Sequence, residues 1–337
     1  MAGKQLRVFL NGCGRVGRIF ARLARERRSE ISRRYGLDIC LAGIGVRSGS
    51  VIDLDADCPL PEDVAAMRPF HAGLVGTAAL LAAEADVLVE ATPTDLKTGG
   101  PGLANLRGAL LNGVHVVTLT KGPLVVAFGE LRATARERGV QLKYSGATAA
   151  ALPTADVATY SLAGTTITGF TGVLNGTTNF ILGRMAEGAD YGAALREAQT
   201  RGIAEANPAL DVEGWDTAVK SLILANAVMD ADLNLSDVAV RGITGVTAAD
   251  IAAAAAAGAR LRLVGRAERR GDGHVAIAVA PEALPLSDPL ASLCGTNKGI
   301  TFMTDTMGAV TVLGGGSDPQ AAAAAALKDV INIGRGR

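Results

Sequence analysis

The sequence predicts an α/β protein in which an N-terminal, doubly wound parallel sheet is followed by a second, α+β domain. Three observations carry this expectation. From residue 6 to residue 144, short apolar runs alternate with helical patterns of ordinary length, which implies parallel strands joined by right-handed crossovers. A glycine-rich turn, NGCGRVGR at 11–18, lies between the first apolar run and the first helical pattern. Beyond Gly146 the alternation ends, and runs suited to a mixed or antiparallel sheet backed by helices take over.

In order, Leu6–Asn11 reads as the first strand, and Ile19, Phe20, Leu23 and Ala24 mark the apolar face of the first helix. Ile39–Val46 is the second strand. Asp86–Ala91 (DVLVEA) reads as an all-apolar buried strand closed by Thr92-Pro93-Thr94. Gly102–Leu111 is a helix, Val114–Leu119 a strand, Ala127–Arg138 a helix and Val140–Tyr144 a strand, placing the first domain at 1–145. The second domain spans 146–317. In it Thr166–Leu174 alternates like a half-exposed strand, while Tyr191–Gln199, Trp215–Met229 and the alanine-rich Val246–Gly258 read as helices. Arg260–Glu268, His274–Ala280, Ile300–Thr304 and Ala309–Leu313 supply further strands. A last helix, about 318–337, begins at Pro319 and is expected to pack back on the first domain.

A chain of 337 residues suffices for two domains, each with its own core. The 49% hydrophobic content with only 4% aromatics suits a compact α/β enzyme and argues against disorder. Lys+Arg and Asp+Glu balance at 33 each, which leaves no global field to attract nucleic acid. The start, MAGKQLRVFLNG, runs straight into a strand without the apolar core of a signal peptide, and no apolar run reaches the ~20 residues of a membrane span. Cys13, Cys40, Cys58 and Cys294 show no paired spacing, as expected of reduced thiols in a cytoplasmic protein.

The glycine turn has the G-x-G-x-x-G form of a Rossmann-type dinucleotide site. Gly12 permits the tight turn, Gly14 lets backbone N–H groups approach the pyrophosphate, and Gly17 seats the helix against the sheet; Arg15 and Val16 complete the turn. The plain alternative is a tight βα turn without a ligand. Sites that prefer NAD usually end the second strand on an acidic residue against the ribose. This chain has Val46-Arg47-Ser48, with Asp53 several residues on. A guanidinium and a hydroxyl suit a 2′-phosphate, so NADP is the expected cofactor, with NAD the alternative. Thr92, Pro93 and Thr94, and Lys121 in TLTKG, follow strands at the sheet's carboxyl edge, where such sheets bind ligands. Lys121 there would polarise a carbonyl or neutralise a carboxylate, unless it is a solvated loop lysine.

In the second region Asp216 and Lys220 are spaced i,i+4 and share a helix face. Trp215, Val219 and Leu222 occupy a neighbouring face that is expected to enter the core. Alone, such a charge pair is a surface feature worth less than ~1 kcal/mol. Glu205, Asn207, Asp211 and Glu213 lie within a dozen residues upstream, around Pro208 and Gly214, and make a poor core but a good polar pocket. Carboxylates there would hold an ammonium, and a lysine would give a proton to an alkoxide. His71, His115 and His274 are too scattered to suggest a histidine relay or metal site, and no GxSxG, HExxH or Walker A motif occurs.

NGCGRVGR, the TPTD after DVLVEA, TLTKG, GVLNGTTNFI (172–181) and GIAEANPALDVEGWDTAVK (202–220) together resemble the homoserine dehydrogenase family. The fourth resembles its G-x-x-N-G-T-x-N hallmark, and the last resembles G-Y-A-E-x-D-P-x-x-D-V-x-G-x-D-x-x-x-K. The resemblance covers most of the chain to about residue 230 and is weaker beyond. It implies NAD(P)H-dependent interconversion of L-aspartate 4-semialdehyde and L-homoserine, a step of threonine and methionine biosynthesis, by a homodimer that pairs through its second domain. It further implies Lys220 as proton donor and Lys121 as a second catalytic or orienting cation beside the cofactor. Glu205 and Asp216 would bind the substrate's amino group and hydroxyl with support from Asp211, and Asn175, Gly176 and Thr177 would shape the hinge between cofactor and substrate. Ile203 replaces the family's aromatic, and Gly146 replaces a glutamate that helps hold a monovalent cation in some members, so no metal is expected. The chain also ends short of the regulatory ACT domain of many members, so feedback by threonine through such a domain is not expected. The alternatives are a dehydrogenase of a related small hydroxy or amino acid, and an NADP-binding sensor or inactive paralogue. The set Lys121, Glu205, Asp216 and Lys220 favours an enzyme, since a pure binder needs no proton donor.

Overall fold

The structure, a computed structural model, describes residues 4–54, 60–316 and 318–337; Cys58 lies outside them. Contacts divide the chain into two units, Met1–Ala150 with Asp318–Arg337, and Ala151–Ser317. In the first, β1 (Lys4–Asn11), α1 (Arg15–Tyr35), β2 (Leu37–Val46), β3 (Gly49–Ile52), β4 (His71–Ala72), α2 (Gly76–Ala82), β5 (Val87–Glu90), α3 (Gly100–Leu111), β6 (His115–Thr118), α4 (Gly122–Glu137), β7 (Leu142–Lys143) and α5 (Ser145–Thr148) follow in order. The sheet order is β4-β3-β2-β1-β5-β6-β7. β2, β1, β5, β6 and β7 run parallel, as the alternation of strand and helix predicts.

Three expectations are corrected here. β2 folds back through Arg47-Ser48 into β3 and β4, which are antiparallel to their neighbours, so the parallel sheet has an antiparallel edge. Two- and four-residue strands carry too little pattern to be legible. α4 begins at Gly122, not Ala127, because Ala127 (φ −144°, ψ 35°) breaks the helix and the sequence reading found only the part after the break. The expected strand Val140–Tyr144 shrinks to Leu142–Lys143 at the sheet's edge.

The second unit holds α6 (Thr154–Asp156), β8 (Ile167–Val173), α7 (Gly176–Ala186), α8 (Tyr191–Thr200), α9 (Ala209–Val212), α10 (Trp215–Val228), β9 (Ala239–Val240), α11 (Ala248–Ala256), β10 (Ala259–Arg269), β11 (Val275–Pro285), β12 (Lys298–Thr304) and β13 (Ala309–Gly314). Its sheet runs β13-β12-β8-β10-β11-β9, antiparallel except for the β11–β9 pair. β8 is not half exposed: only Thr168 reaches solvent, since on the Thr171 face Gly169 has no side chain and Arg266 of β10 reaches across to donate to Thr171 Oγ1 (2.8 Å). α10 crosses β10 closely at Gly265, where an added Cβ would collide with Ser221 Oγ. Register places Gly265, Phe170 and Phe302 on that face, and Arg266, Thr171 and Met303 on the other.

α12 (Pro319–Gly334) belongs to the first unit and packs against α1. Ala326, Val330 and Ile333 of α12 join Phe20 and Leu23 of α1 over Val8, Leu10, Val87 and Val89. On the sheet's other side Leu80, Leu106, Leu110 and Leu131 cover Phe9, Leu88 and Val116. Helices therefore bury both faces, the condition for parallel strands that read as continuous apolar runs. No described helix is long and apolar enough to cross a membrane.

Candidate active site

Each unit contributes one cluster at the positions singled out by sequence. In the first unit β1 delivers Asn11 to the sheet's carboxyl edge, and Gly12 turns the chain with φ +96°. A Cβ on Gly12 would stand 2.6 Å from the Ala91 carbonyl carbon, so this turn rests directly on the Ala91–Thr92 peptide. A Cβ on Gly17 would collide with the Gly12 carbonyl, whereas one on Gly14 would meet nothing within 4 Å. Gly14 is the N-cap of α1; no side chain caps the helix, and its first turn, with exposed Arg15 and half-buried Val16, carries no acid. Free N–H groups, the positive end of the helix dipole and open space above Gly14 fit the phosphates of a dinucleotide.

Arg47 and Ser48 are exposed at the tip of the β2–β3 hairpin. Asp53 is not beside them. Its N–H donates to the Ala42 carbonyl (2.9 Å), five residues back along β2 and so about 16 Å from Arg47. Among the described residues from Gly43 to Leu54, Asp53 is the only acid, and it faces the Arg7 side of the sheet. Thr92, Pro93 and Thr94 follow β5, and half-buried Lys121 begins α4 with its N–H donating to Thr94 Oγ1 (3.4 Å). Thr120 Oγ1 donates to the Thr92 carbonyl (2.7 Å), lacing the two loops together.

Sequence reasoning missed the centre of this arrangement. Glu90, the acid inside the supposedly all-apolar DVLVEA, is 0% exposed. It accepts hydrogen bonds from Asn11 Nδ2 (2.9 Å), Asn105 Nδ2 (3.0 Å), and the Thr92 N–H (3.0 Å) and hydroxyl. A glutamate closing an apolar strand at a ligand edge was the available signal.

In the second unit the expected residues Asn175, Asp211, Asp216 and Lys220 meet. Asn175 caps α7, its Oδ1 accepting from the Thr178 N–H (2.9 Å). Its Nδ2 donates to both Asp211 Oδ1 (2.7 Å) and Asp216 Oδ2 (2.9 Å). Lys220 Nζ lies 2.6 Å from Asp216 Oδ2 and donates to the Leu174 carbonyl (2.9 Å). The Lys220 and Asp216 side chains are only 12% and 10% exposed, so this i,i+4 pair is no solvated surface feature. Removing charges from water is costly, and the Asn175 and Leu174 hydrogen bonds offset that cost. Gly176 opens α7, and Thr177 Oγ1 donates to the Ile203 carbonyl (3.2 Å), tying the two motifs together. Glu205 stays apart: it is exposed, and its carboxylate has no partner among the described residues. Trp215 is also corrected. Val219 and Leu222 are buried, but Trp215 is 36% exposed, because the first residue of a helix projects past the surface that its later turns cover.

Among the described residues no three His, Cys, Asp or Glu side chains converge as a metal site. Gly146 packs within α5 so that an added Cβ would collide with Leu119 Cδ2; it supplies no side-chain donor.

Comparison with known proteins covers both units. Residues 12–145 match the family model described as the homoserine dehydrogenase NAD binding domain, and residues 153–331 match that described as homoserine dehydrogenase. The chain is 38% identical over 338 residues to the NAD(+)-dependent homoserine dehydrogenase of Pseudomonas canavaninivorans, covering 98% of this chain and 96% of that protein. It is 33% identical over 335 residues to the homoserine dehydrogenase of Methanocaldococcus jannaschii, covering 97% and 98%. A solved homoserine dehydrogenase from Thiobacillus denitrificans, 29% identical, matches the fold with a TM-score of 0.84 over 99% of this chain and 74% of that one.

Proposed function

The chain belongs to the homoserine dehydrogenase family, and from that premise we propose which of its residues carry the reaction. It is an NAD(P)-dependent oxidoreductase acting on a CH–OH group and interconverts L-homoserine and L-aspartate 4-semialdehyde. The nicotinamide, when bound, supplies or accepts the hydride. The substrate oxygen then needs a proton, and Lys220 is its donor. An ammonium has three N–H bonds; Asp216 and the Leu174 carbonyl take two, leaving one for the substrate. This arrangement of Lys220 is the observation on which the reading rests.

Asp216 holds Lys220 in place, and Asn175 spaces Asp216 from Asp211. Glu205, an exposed carboxylate without a partner among the described residues, meets the substrate ammonium. Gly12, Gly14, Arg15, Val16 and Gly17 hold the dinucleotide phosphates, and Thr92, Pro93, Thr94 and Lys121 line its nicotinamide end. Arg47 and Ser48 bind the 2′-phosphate, with Asp53 too distant to repel it, which favours NADP. The reading that NAD is preferred is supported by the Pseudomonas relative, whose name specifies NAD(+). The half-exposed sheet face of the second unit, with Met303 at 36% and Leu313 at 44% exposure, is proposed to pair with a second copy in a homodimer. A cytoplasmic setting and a place in threonine and methionine biosynthesis complete the proposal; the free thiols Cys13, Cys40 and Cys294 suit the former.

The test is oxidation of NADPH and NADH with L-aspartate 4-semialdehyde, in wild type, Lys220→Ala and Arg47→Ala. Lys220→Ala should lower kcat by about 10²–10⁴ while NADPH still binds. Arg47→Ala should raise the KM for NADPH about tenfold, the worth of one charge-assisted hydrogen bond, and leave that for NADH unchanged. Full turnover by Lys220→Ala would remove the lysine from its role, and a wild-type preference for NADH would overturn the NADP assignment.

A further inference from the structure

We infer that Glu90 is a positioning residue for the dinucleotide, a buried carboxylate that sets the spacing of the backbone cradle without touching the ligand itself; this rests on the reading of the first unit as the cofactor site. Four donors converge on its two oxygens. Oε2 takes the side-chain amides of Asn11 and Asn105, and Oε1 takes the N–H and hydroxyl of Thr92. An ionised carboxylate only accepts, so this all-donor set suits it without remainder.

The partners explain the consequence. Asn11 immediately precedes Gly12, and Thr92 begins the loop after β5. The Gly12 turn rests on the Ala91–Thr92 peptide, so holding Asn11 and Thr92 from one point fixes the height of the glycine turn above the neighbouring loop. Thr92 passes the constraint on, because its carbonyl accepts from Thr120 Oγ1 (2.7 Å), and the Thr120 carbonyl accepts from Thr118 Oγ1 (3.0 Å). Lys121 follows directly. Asn105 anchors the carboxylate to α3. At 0% exposure Glu90 cannot meet a ligand, and it acts only through these loops.

Glu90→Gln keeps the shape but replaces one acceptor with a donor. The new NH2 faces either the Thr92 donors or the two asparagine amides, which would have to flip to accept from it, so the present four-donor arrangement is lost. The experiment is calorimetric titration of NADPH and of NADH into the full-length wild type, Glu90→Gln and Asn105→Ala, at a temperature where circular dichroism finds each folded. Homoserine KM at saturating cofactor is measured alongside. Glu90→Gln should weaken both nucleotides at least tenfold and by the same factor, since the loops serve both, while homoserine KM stays within twofold. Asn105→Ala, which removes one donor from a helix away from the loops, should weaken both severalfold and provides the test if Glu90→Gln does not fold. Unchanged dissociation constants with a lowered melting temperature would make Glu90 merely structural and overturn the inference. Loss of NADPH affinity alone would assign the effect to the 2′-phosphate end and overturn it as well. Wild type binding neither nucleotide would instead refute the underlying assignment of the cofactor site.

Discussion

Asn175 offers the sharpest test of how the carboxylate cluster is held together. Asn175→Ala removes the cap of α7, worth about 1 kcal/mol, and two hydrogen bonds to carboxylates, each worth about 1.5 kcal/mol net. The expected loss of stability is about 4 kcal/mol. Asn175→Asp keeps the cap, since aspartate caps as well as asparagine, but sets a third carboxylate where donors were 2.7 and 2.9 Å from Asp211 and Asp216. At an effective dielectric constant of about 20, like charges about 4 Å apart repel by about 4 kcal/mol per pair. Asn175→Asp should therefore be the less stable variant at pH 8. The sign of its pH dependence follows by linkage: a crowded carboxylate has a folded-state pKa above its unfolded value, so the deficit is full at high pH and shrinks as pH falls through the folded-state value. At pH 5 the order should reverse, because only Asn175→Asp retains the cap. Urea denaturation followed by Trp215 fluorescence checks this, as the chain has a single tryptophan at the start of α10. Asn175→Asp matching or exceeding Asn175→Ala in stability at pH 8, or a gap indifferent to pH, would refute the reasoning.

Two further outcomes follow from the first unit. Gly14→Ala should fold with a near-wild-type melting temperature, since its Cβ meets nothing within 4 Å, yet bind NADPH more weakly; Gly17→Ala should fail in both, because its Cβ collides with the Gly12 carbonyl, and thermal melting with and without cofactor separates the two. Burial holds the His115 imidazole below its ordinary 6.5, and its Nδ1 accepts from the Gln141 N–H (3.0 Å). A folded-state pKa below the unfolded value contributes stability that is present above about pH 6.5 and lost as pH falls through the lower, folded-state value. Stability of His115→Gln measured from pH 7.5 to 5 should therefore fall less steeply than wild type, and an identical slope would exclude His115 as a source of acid sensitivity.

Much of the fold was legible because its signals are local. β1, β2, β5 and β6 are apolar runs, buried on both sheet faces, and the G-x-G-x-x-G turn declares itself by residue type and by its place between strand and helix. The Asp216–Lys220 pair is likewise written in helical spacing. The β3–β4 hairpin is too short for periodicity, and Trp215 has the right helical phase but lies at a helix end, where phase no longer implies a packing partner.

Sequence by itself thus determined the alternation of strand and helix, the glycine turn, and the residue types from which a proton donor and carboxylate anchors could be drawn. Tertiary structure alone decided which of them meet. It joined Asn175 to carboxylates 36 and 41 residues away, brought Asn11 and Asn105 onto Glu90 from 79 and 15 residues, and left Glu205 apart and exposed. It also returned α12 to the first unit. The physical reason is that periodicity reports only which face of an element is apolar, whereas the partners of a buried polar group are set by strand order and packing, and such a group must find its donors wherever the fold supplies them.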